Sequence, residues 1–225
     1  MSARFSAAWT SCSGKLIGRD RMVLFKAGNG PGLMGSIGEY GRQVDARPQR
    51  TKDQKEAYCL RRYLLSLANC GLLDYPLAVE KCETPDFIVT GTECFGIEVT
   101  EATDEVDQRE YTKAAKSGVT MWSDGRFGGR GTFVGVSHER LWLSYVRKAI
   151  QKKQKLTYCS QKTKLLIYSN SNAGGHIEDE RAFELLKTYE FAPGYLPIVE
   201  VSILRSTCLL FDVGGSSSQM LKISA

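Results

Sequence analysis

Two carboxylates, Asp86 and Glu98, have the residue types and the spacing to bind a divalent cation. Asp86 follows Pro85. Two short runs rich in apolar residues come after it, separated by a turn sequence at 91–93, and this pattern is typical of a β-hairpin. In such a hairpin Asp86 approaches Glu98 or Thr100 on the second strand. Paired carboxylates suit Mg²⁺, which takes its other ligands from water and substrate phosphate. The spacing therefore predicts a metal site on the hairpin.

The predicted strands of this hairpin are Phe87–Thr90 and Cys94–Thr100. Because successive side chains point to opposite faces of a strand, Gly96 and Glu98 share one face, whereas Ile97 and its apolar neighbours face the core. An ordinary sheet rim explains the same residues, since Pro-Asp is common in turns and a strand glutamate can face solvent. The hairpin by itself leaves both interpretations open.

Helices and further strands surround the hairpin. Thr51 and Gln54 fit a capping box, and apolar residues at helical spacing predict a helix that ends near Asn69. The later pattern predicts a third strand at 132–136, a second helix at 138–156 capped by Ser137, and a further strand at 164–169. A third helix at 178–189 and a final hairpin with strands at 198–203 and 207–213 are expected after them. The expected fold class is α/β, a mixed central sheet flanked by helices. Its core order is helix, three strands, helix, strand, with an extra C-terminal helix and strands.

Two regions differ in composition. Residues 1–50 are rich in glycine and are expected to form an irregular N-terminal arm or appendage. Residues 51–225 are expected to form the α/β domain, with a loose segment over about the last dozen residues.

Two more charged residues fall on helix faces directed towards the hairpin. Lys153 is three residues after Ile150 and four after Ala149, so it shares the packing face of the second helix. From that face its ammonium can extend to the hairpin carboxylates. Glu56 lies four residues before Leu60, near the apolar face of the first helix. The alternatives are a lysine that extends from the helix edge to solvent and a first-turn glutamate favoured by the helix dipole.

The Pro-Asp pair, the turn and the stretch Glu98-Val99-Thr100 resemble the motif of the PD-(D/E)xK nuclease superfamily. The predicted order of elements over about 51–170 is similar to the restriction-endonuclease-like core of that superfamily. The resemblance implies that Asp86 and Glu98 hold Mg²⁺ or Mn²⁺. Thr100 stands where the superfamily has its lysine. The resemblance implies that Lys153 replaces it, as in members that carry the lysine on that helix, and that Glu56 assists as a fourth catalytic residue.

Basic side chains near these elements suit a polyanion. Lys148, Lys152 and Lys155 lie on the second helix away from its apolar face, and Arg126 and Arg130 lie in the glycine-rich stretch GRFGGRG. These five are the predicted nucleic-acid contacts, with DNA favoured over RNA. A homodimer with paired sites is favoured if both strands are cut. The alternatives are a solvated helix face and a loop whose glycines serve flexibility alone.

The bulk composition restricts the class of protein. Among 225 residues, 30 Lys and Arg against 25 Asp and Glu give a net charge of +5, which permits a polyanion partner without requiring one. No apolar run reaches the length of a membrane span. Seven cysteines without a CxxC pair predict reduced thiols in a cytoplasmic protein. The expected function is a magnesium-dependent endonuclease. The alternative is a non-catalytic nucleic-acid-binding or scaffolding protein that retains the fold.

Overall fold

The computed structural model describes residues 22–42, 51–103, 137–156, 158, 162–169, 171–187, 198–213 and 217–222. In chain order its elements are β1 (Met22–Ala27), α1 (Gly30–Arg42), α2 (Lys52–Asn69), β2 (Leu77–Lys81), β3 (Phe87–Thr90), β4 (Cys94–Ala102), α3 (His138–Gln154), β5 (Thr163–Ser169), α4 (Asn172–Gly175), α5 (Asp179–Lys187), β6 (Ile198–Leu204), β7 (Thr207–Asp212) and β8 (Ser218–Lys222). Within these ranges no helix has both the length and the apolar character needed to cross a membrane.

The eight described strands form one mixed sheet whose spatial order follows the chain from β1 to β8. Strands β4, β5 and β6 run parallel, and every other neighbouring pair is antiparallel. The carboxyl-terminal ends of the three parallel strands therefore lie at the same end of the sheet. Because β3 is antiparallel to β4, the amino-terminal end of β3 points towards this end too. Asp86 directly precedes that end.

Helices cover both faces of the sheet. On one face Leu60 of α2 shares a buried apolar cluster with Ile97 of β4. On the other face Trp142 of α3 shares a second cluster with Ile167 of β5. Since side chains alternate along a strand, Ile97 faces α2 and the next residue, Glu98, faces α3. The sheet thus presents the predicted metal ligand to the helix that carries Lys153.

Elements with strong local signals are confirmed. The backbone N–H of Gln54 donates to Thr51 Oγ1 (3.3 Å), and that of Thr51 donates to Gln54 Oε1 (2.9 Å), which completes the capping box of α2. Ser137 caps α3. Strand β3 has the predicted bounds, and β4 continues two residues beyond the predicted end, to Ala102. The mixed α/β class follows the expectation.

Strands β1, β2 and β8 and helices α1 and α4 were not predicted. Residues 22–42, expected to be irregular, form β1 and α1, and β1 pairs with β2. Strand β8, in the segment expected to be loose, pairs with β7. The predicted third strand at 132–136 lies outside the described residues. In the described part, the three strands between α2 and α3 are β2, β3 and β4.

The cysteines differ in part from the expectation of reduced thiols. Cys59, Cys70, Cys82 and Cys208 remain thiols. Cys94, at the start of β4, is disulfide-bonded. The prediction of reduced cysteines is therefore wrong for Cys94.

Candidate functional site

The register of the hairpin places Asp86 beside Glu98. Phe87 pairs with Ile97, and Ile88 with Gly96, so the residue before Phe87 lies next to the residue after Ile97. A Cβ added to Gly96 would lie 2.5 Å from Cγ of Pro85. Glycine at this position therefore lets the segment ahead of β3 pack directly over β4, which holds the two carboxylates together.

Asp86 is buried and has an unusual affinity for its proton. Only 4% of the residue is exposed, and the backbone N–H of Val99 donates to its Oδ2 over 2.7 Å. Burial, and next the charge of Glu98, raise the pKa of Asp86 from 3.8 to about 7. The charge of Glu56 also raises this pKa, whereas the Val99 N–H and the charge of Lys153 lower it. The carboxyl group therefore lies in a field with an excess of negative charge.

Glu98 is equally buried, at 2% exposure, and its two oxygens differ. Oε1 accepts a hydrogen bond from Nζ of Lys153. Oε2 is buried and has no hydrogen-bond partner among the described residues. A buried carboxylate oxygen without a partner is costly, and a bound cation would satisfy it.

Lys153 reaches this carboxylate from the packing face of α3. Its side chain is 17% exposed and pairs with Glu98, as the periodicity of the helix predicted it could. Tyr158 donates a hydrogen bond from its hydroxyl to the backbone carbonyl of Lys153 (2.9 Å). Burial raises the pKa of the Tyr158 phenol, and the charges of Glu98 and Asp86 raise it further. Tyr158 therefore remains a protonated donor that holds the end of α3 in place.

Glu56 approaches the pair from α2 and is bound by two lysines. Its carboxylate is 4% exposed; Oε2 accepts from Nζ of Lys81, and Oε1 lies 3.3 Å from Nζ of Lys52. The effect of its charge on Asp86 shows that the two carboxylates belong to one electrostatic cluster. Sequence reasoning missed Lys81 because β2 was not predicted. It missed Lys52 because an exposed first-turn lysine has no distinctive pattern.

The remaining predicted residues are divided among several places. Thr100 is half-buried near the end of β4, and Glu101 points to the other face, where Lys55 pairs with it at 3.1 Å. Lys148, Lys152 and Lys155 are exposed on and just beyond α3. Arg126 and Arg130 lie outside the described residues.

The fit of a metal ion depends on the pair Asp86 and Glu98. In the ranges that the structure describes, no group of three or more His, Cys, Asp or Glu side chains is arranged to hold a metal. Mg²⁺ does not need such a group, since it retains waters and takes one or two protein carboxylates. Two observations fit a cation here. Oε2 of Glu98 has no hydrogen-bond partner among the described residues, and the buried carboxylate of Asp86 lies beside it.

Two other polar features lie away from the carboxylates. His138 and His176 bring their rings to 4.7 Å between centroids. A groove of about 670 Å³ lies at the carboxyl ends of β5 and β6, lined by residues that include Arg62, Asp179 and Arg205. None of its lining residues belongs to the carboxylate cluster.

Comparison of this chain with known protein families, curated proteins and solved structures gave no significant match.

Proposed function

We propose that this protein is a metal-dependent nuclease that hydrolyses phosphodiester bonds, with DNA favoured over RNA as its substrate. The observation that carries the proposal is the state of Glu98. This buried carboxylate binds Lys153 through one oxygen, and its other oxygen has no hydrogen-bond partner among the described residues. It lies beside the buried Asp86. Carboxylates with a lysine at hand are the groups that phosphodiester hydrolysis assisted by Mg²⁺ or Mn²⁺ requires.

The order of elements supports a restriction-endonuclease-like core. Helix α2, the antiparallel strands β2, β3 and β4, helix α3 and the parallel strand β5 follow one another in the chain. This is the order helix, three strands, helix, strand that accompanies the PD-(D/E)xK motif. We assign Asp86 and Glu98 to the two acidic positions of that motif, and Lys153 to the place of its lysine.

The protein groups would divide the work as follows. Asp86 and Glu98 would hold the metal, and the Val99 N–H fixes the orientation of Asp86. When bound, the metal supplies Lewis-acid polarisation of the phosphate and a lowered pKa for the attacking water. Lys153 would position that water and offset the negative charge that develops on the phosphate. Glu56, held by Lys52 and Lys81, assists as a nearby carboxylate.

Exposed positive charge on α3 supports a nucleic-acid substrate. Lys148, Lys152 and Lys155 project to solvent from the helix that carries Lys153. Their charges would attract the phosphate backbone towards the carboxylates, and we include Arg126 and Arg130 among the proposed contacts. We place the protein in the cytoplasm and propose a homodimer for double-strand cleavage.

The test is cleavage of linear, supercoiled and single-stranded DNA with Mg²⁺ or Mn²⁺. We expect metal-dependent cutting that is lost in Asp86→Asn and Glu98→Gln and reduced at least 100-fold in Lys153→Met. Glu101→Gln is the matched control, because Glu101 neighbours the motif but faces away from it. Cutting that survives both ligand substitutions would sink the assignment of the site.

Thr100 favours one alternative, a non-catalytic nucleic-acid-binding or scaffolding protein that retains the fold. A hydroxyl carries no positive charge, so nothing on β4 itself replaces the superfamily's lysine. DNA binding by the wild type without cleavage under any metal would support this alternative.

A further inference from the structure

Lys52, the first residue of α2, lies at the mouth of the carboxylate cluster. Its Nζ is 3.3 Å from Glu56 Oε1, yet its side chain is 84% exposed while that of Glu56 is 5% exposed. The lysine therefore extends from solvent to a buried carboxylate. The charge of Glu56, and to a smaller extent those of Asp86 and Glu98, raise the pKa of Lys52, so its ammonium stays charged.

Two other lysines bind the same cluster but are largely withdrawn from solvent. Lys153 pairs with Glu98 and Lys81 pairs with Glu56, and their side chains are 17% and 24% exposed. Of the three lysines that the described residues place on the cluster, Lys52 is the one that presents most of its surface to an approaching ligand. The charges of Glu56, Asp86 and Glu98 together repel a polyanion, so an exposed cation beside them favours the approach of a phosphate.

We propose that Lys52 binds a phosphate of the nucleic-acid backbone next to the scissile phosphate, exchanging its contact with Glu56 Oε1 for a contact with a phosphate oxygen. The inference rests on the proposed nuclease function and names a substrate-binding residue for it. Glu56 keeps its ion pair with Lys81 during the exchange, so the buried carboxylate retains one cation.

Salt dependence of DNA binding tests this inference without catalysis. Binding of a fluorescein-labelled duplex is measured in EDTA over a series of salt concentrations for wild type, Lys52→Gln and Lys52→Arg. Each phosphate contact contributes about 0.9 to the slope of log Kd against log salt concentration. We expect Lys52→Gln to lower that slope by about 0.9 and to weaken binding about 3- to 10-fold near 0.1 M salt. Lys52→Arg keeps the charge and restores the slope.

Lys187→Gln is the matched control, because Lys187 is an exposed lysine on α5 whose partner is Glu184, at 3.8 Å. The slope of log Kd against log salt concentration for this variant should equal that of the wild type.

A slope in Lys52→Gln that equals the wild-type slope overturns the inference and leaves the nuclease proposal intact. A slope that is lowered equally in Lys52→Gln and Lys187→Gln has the same meaning. A wild type that binds no nucleic acid overturns both proposals. A lower slope in a protein that never cleaves DNA supports Lys52 as a phosphate contact and overturns the catalytic assignment. Lys52→Arg is the control for misfolding, because recovery of the wild-type slope by the restored charge requires a folded protein.

Discussion

Lys153 and Glu98, 55 residues apart in the sequence, form an ion pair between α3 and β4 that uses one oxygen of a carboxylate whose other oxygen has no described partner. The lysine therefore neutralises the carboxylate without saturating it. A cation could bind at Oε2 while the ion pair persists at Oε1.

Removal of the lysine should lower the free energy of unfolding, because the buried carboxylates lose their counter-charge. We expect Lys153→Met to lower the free energy of unfolding by about 3 kcal/mol at pH 8, because Glu98 is left buried without its cation. Urea denaturation measures this loss. The loss should shrink at pH 4, where Asp86, with its raised pKa of about 7, carries a proton and no longer adds negative charge beside Glu98. Lys152→Met, an exposed neighbour, should change stability by less than about 0.5 kcal/mol. An equal loss at both pH values would indicate lost packing instead of lost charge.

Asp86 should make the metal-free protein less stable as the pH rises. Its folded pKa of about 7 exceeds its ordinary value of 3.8, so between these values the unfolded chain releases a proton that the folded protein keeps. The free energy of unfolding then falls from about pH 4 to about pH 7 and levels off above that.

Asp86→Asn removes this titration and still offers an acceptor to the Val99 N–H. Relative to wild type in EDTA, we expect the variant to gain about 2–4 kcal/mol between pH 4 and pH 8. Chemical denaturation across this pH range provides the measurement. Parallel stability profiles for the two proteins would show that Asp86 ionises normally.

Gly96 should be required for the position of the Asp86 carboxylate. In Gly96→Ala the new methyl group meets Pro85 within 2.5 Å, so we expect a loss of about 1–3 kcal/mol and a weaker response to metal. Gly35→Ala is the control, since a Cβ at that helical position has no neighbour within 4 Å. Thermal melts with and without Mn²⁺ compare the two. A Gly96→Ala protein that melts like wild type would show that the segment ahead of β3 can shift freely.

Metal ions should stabilise the wild type through Asp86 and Glu98. We expect the melting temperature to rise on addition of Mn²⁺, by an amount set by the ratio of the metal concentration to Kd. Asp86→Asn and Glu98→Gln should abolish this rise, and Glu101→Gln should retain it. A rise of the same size in all four proteins would place any metal site elsewhere.

Local patterns in the sequence determined the hairpin and the two helices that flank it. A short apolar run defines β3, and alternating apolar residues define β4. Side-chain caps at Thr51 and Ser137 define the starts of α2 and α3. These features depend on neighbours within about four residues, so they can be read without knowing the fold. The helical period also determined that Lys153 shares the packing face of its helix.

Only the tertiary structure decided what these elements place together. Strands β1 and β8 lie at the edges of the sheet and β2 is five residues long, so pairing rather than pattern defines them. Lys81 joins the cluster because β2 pairs with β3. The approach of α3 to β4 decides that Lys153 meets Glu98, and that the second oxygen of Glu98 has no described partner. These are contacts between residues far apart in the chain, and no local period encodes the distance between them.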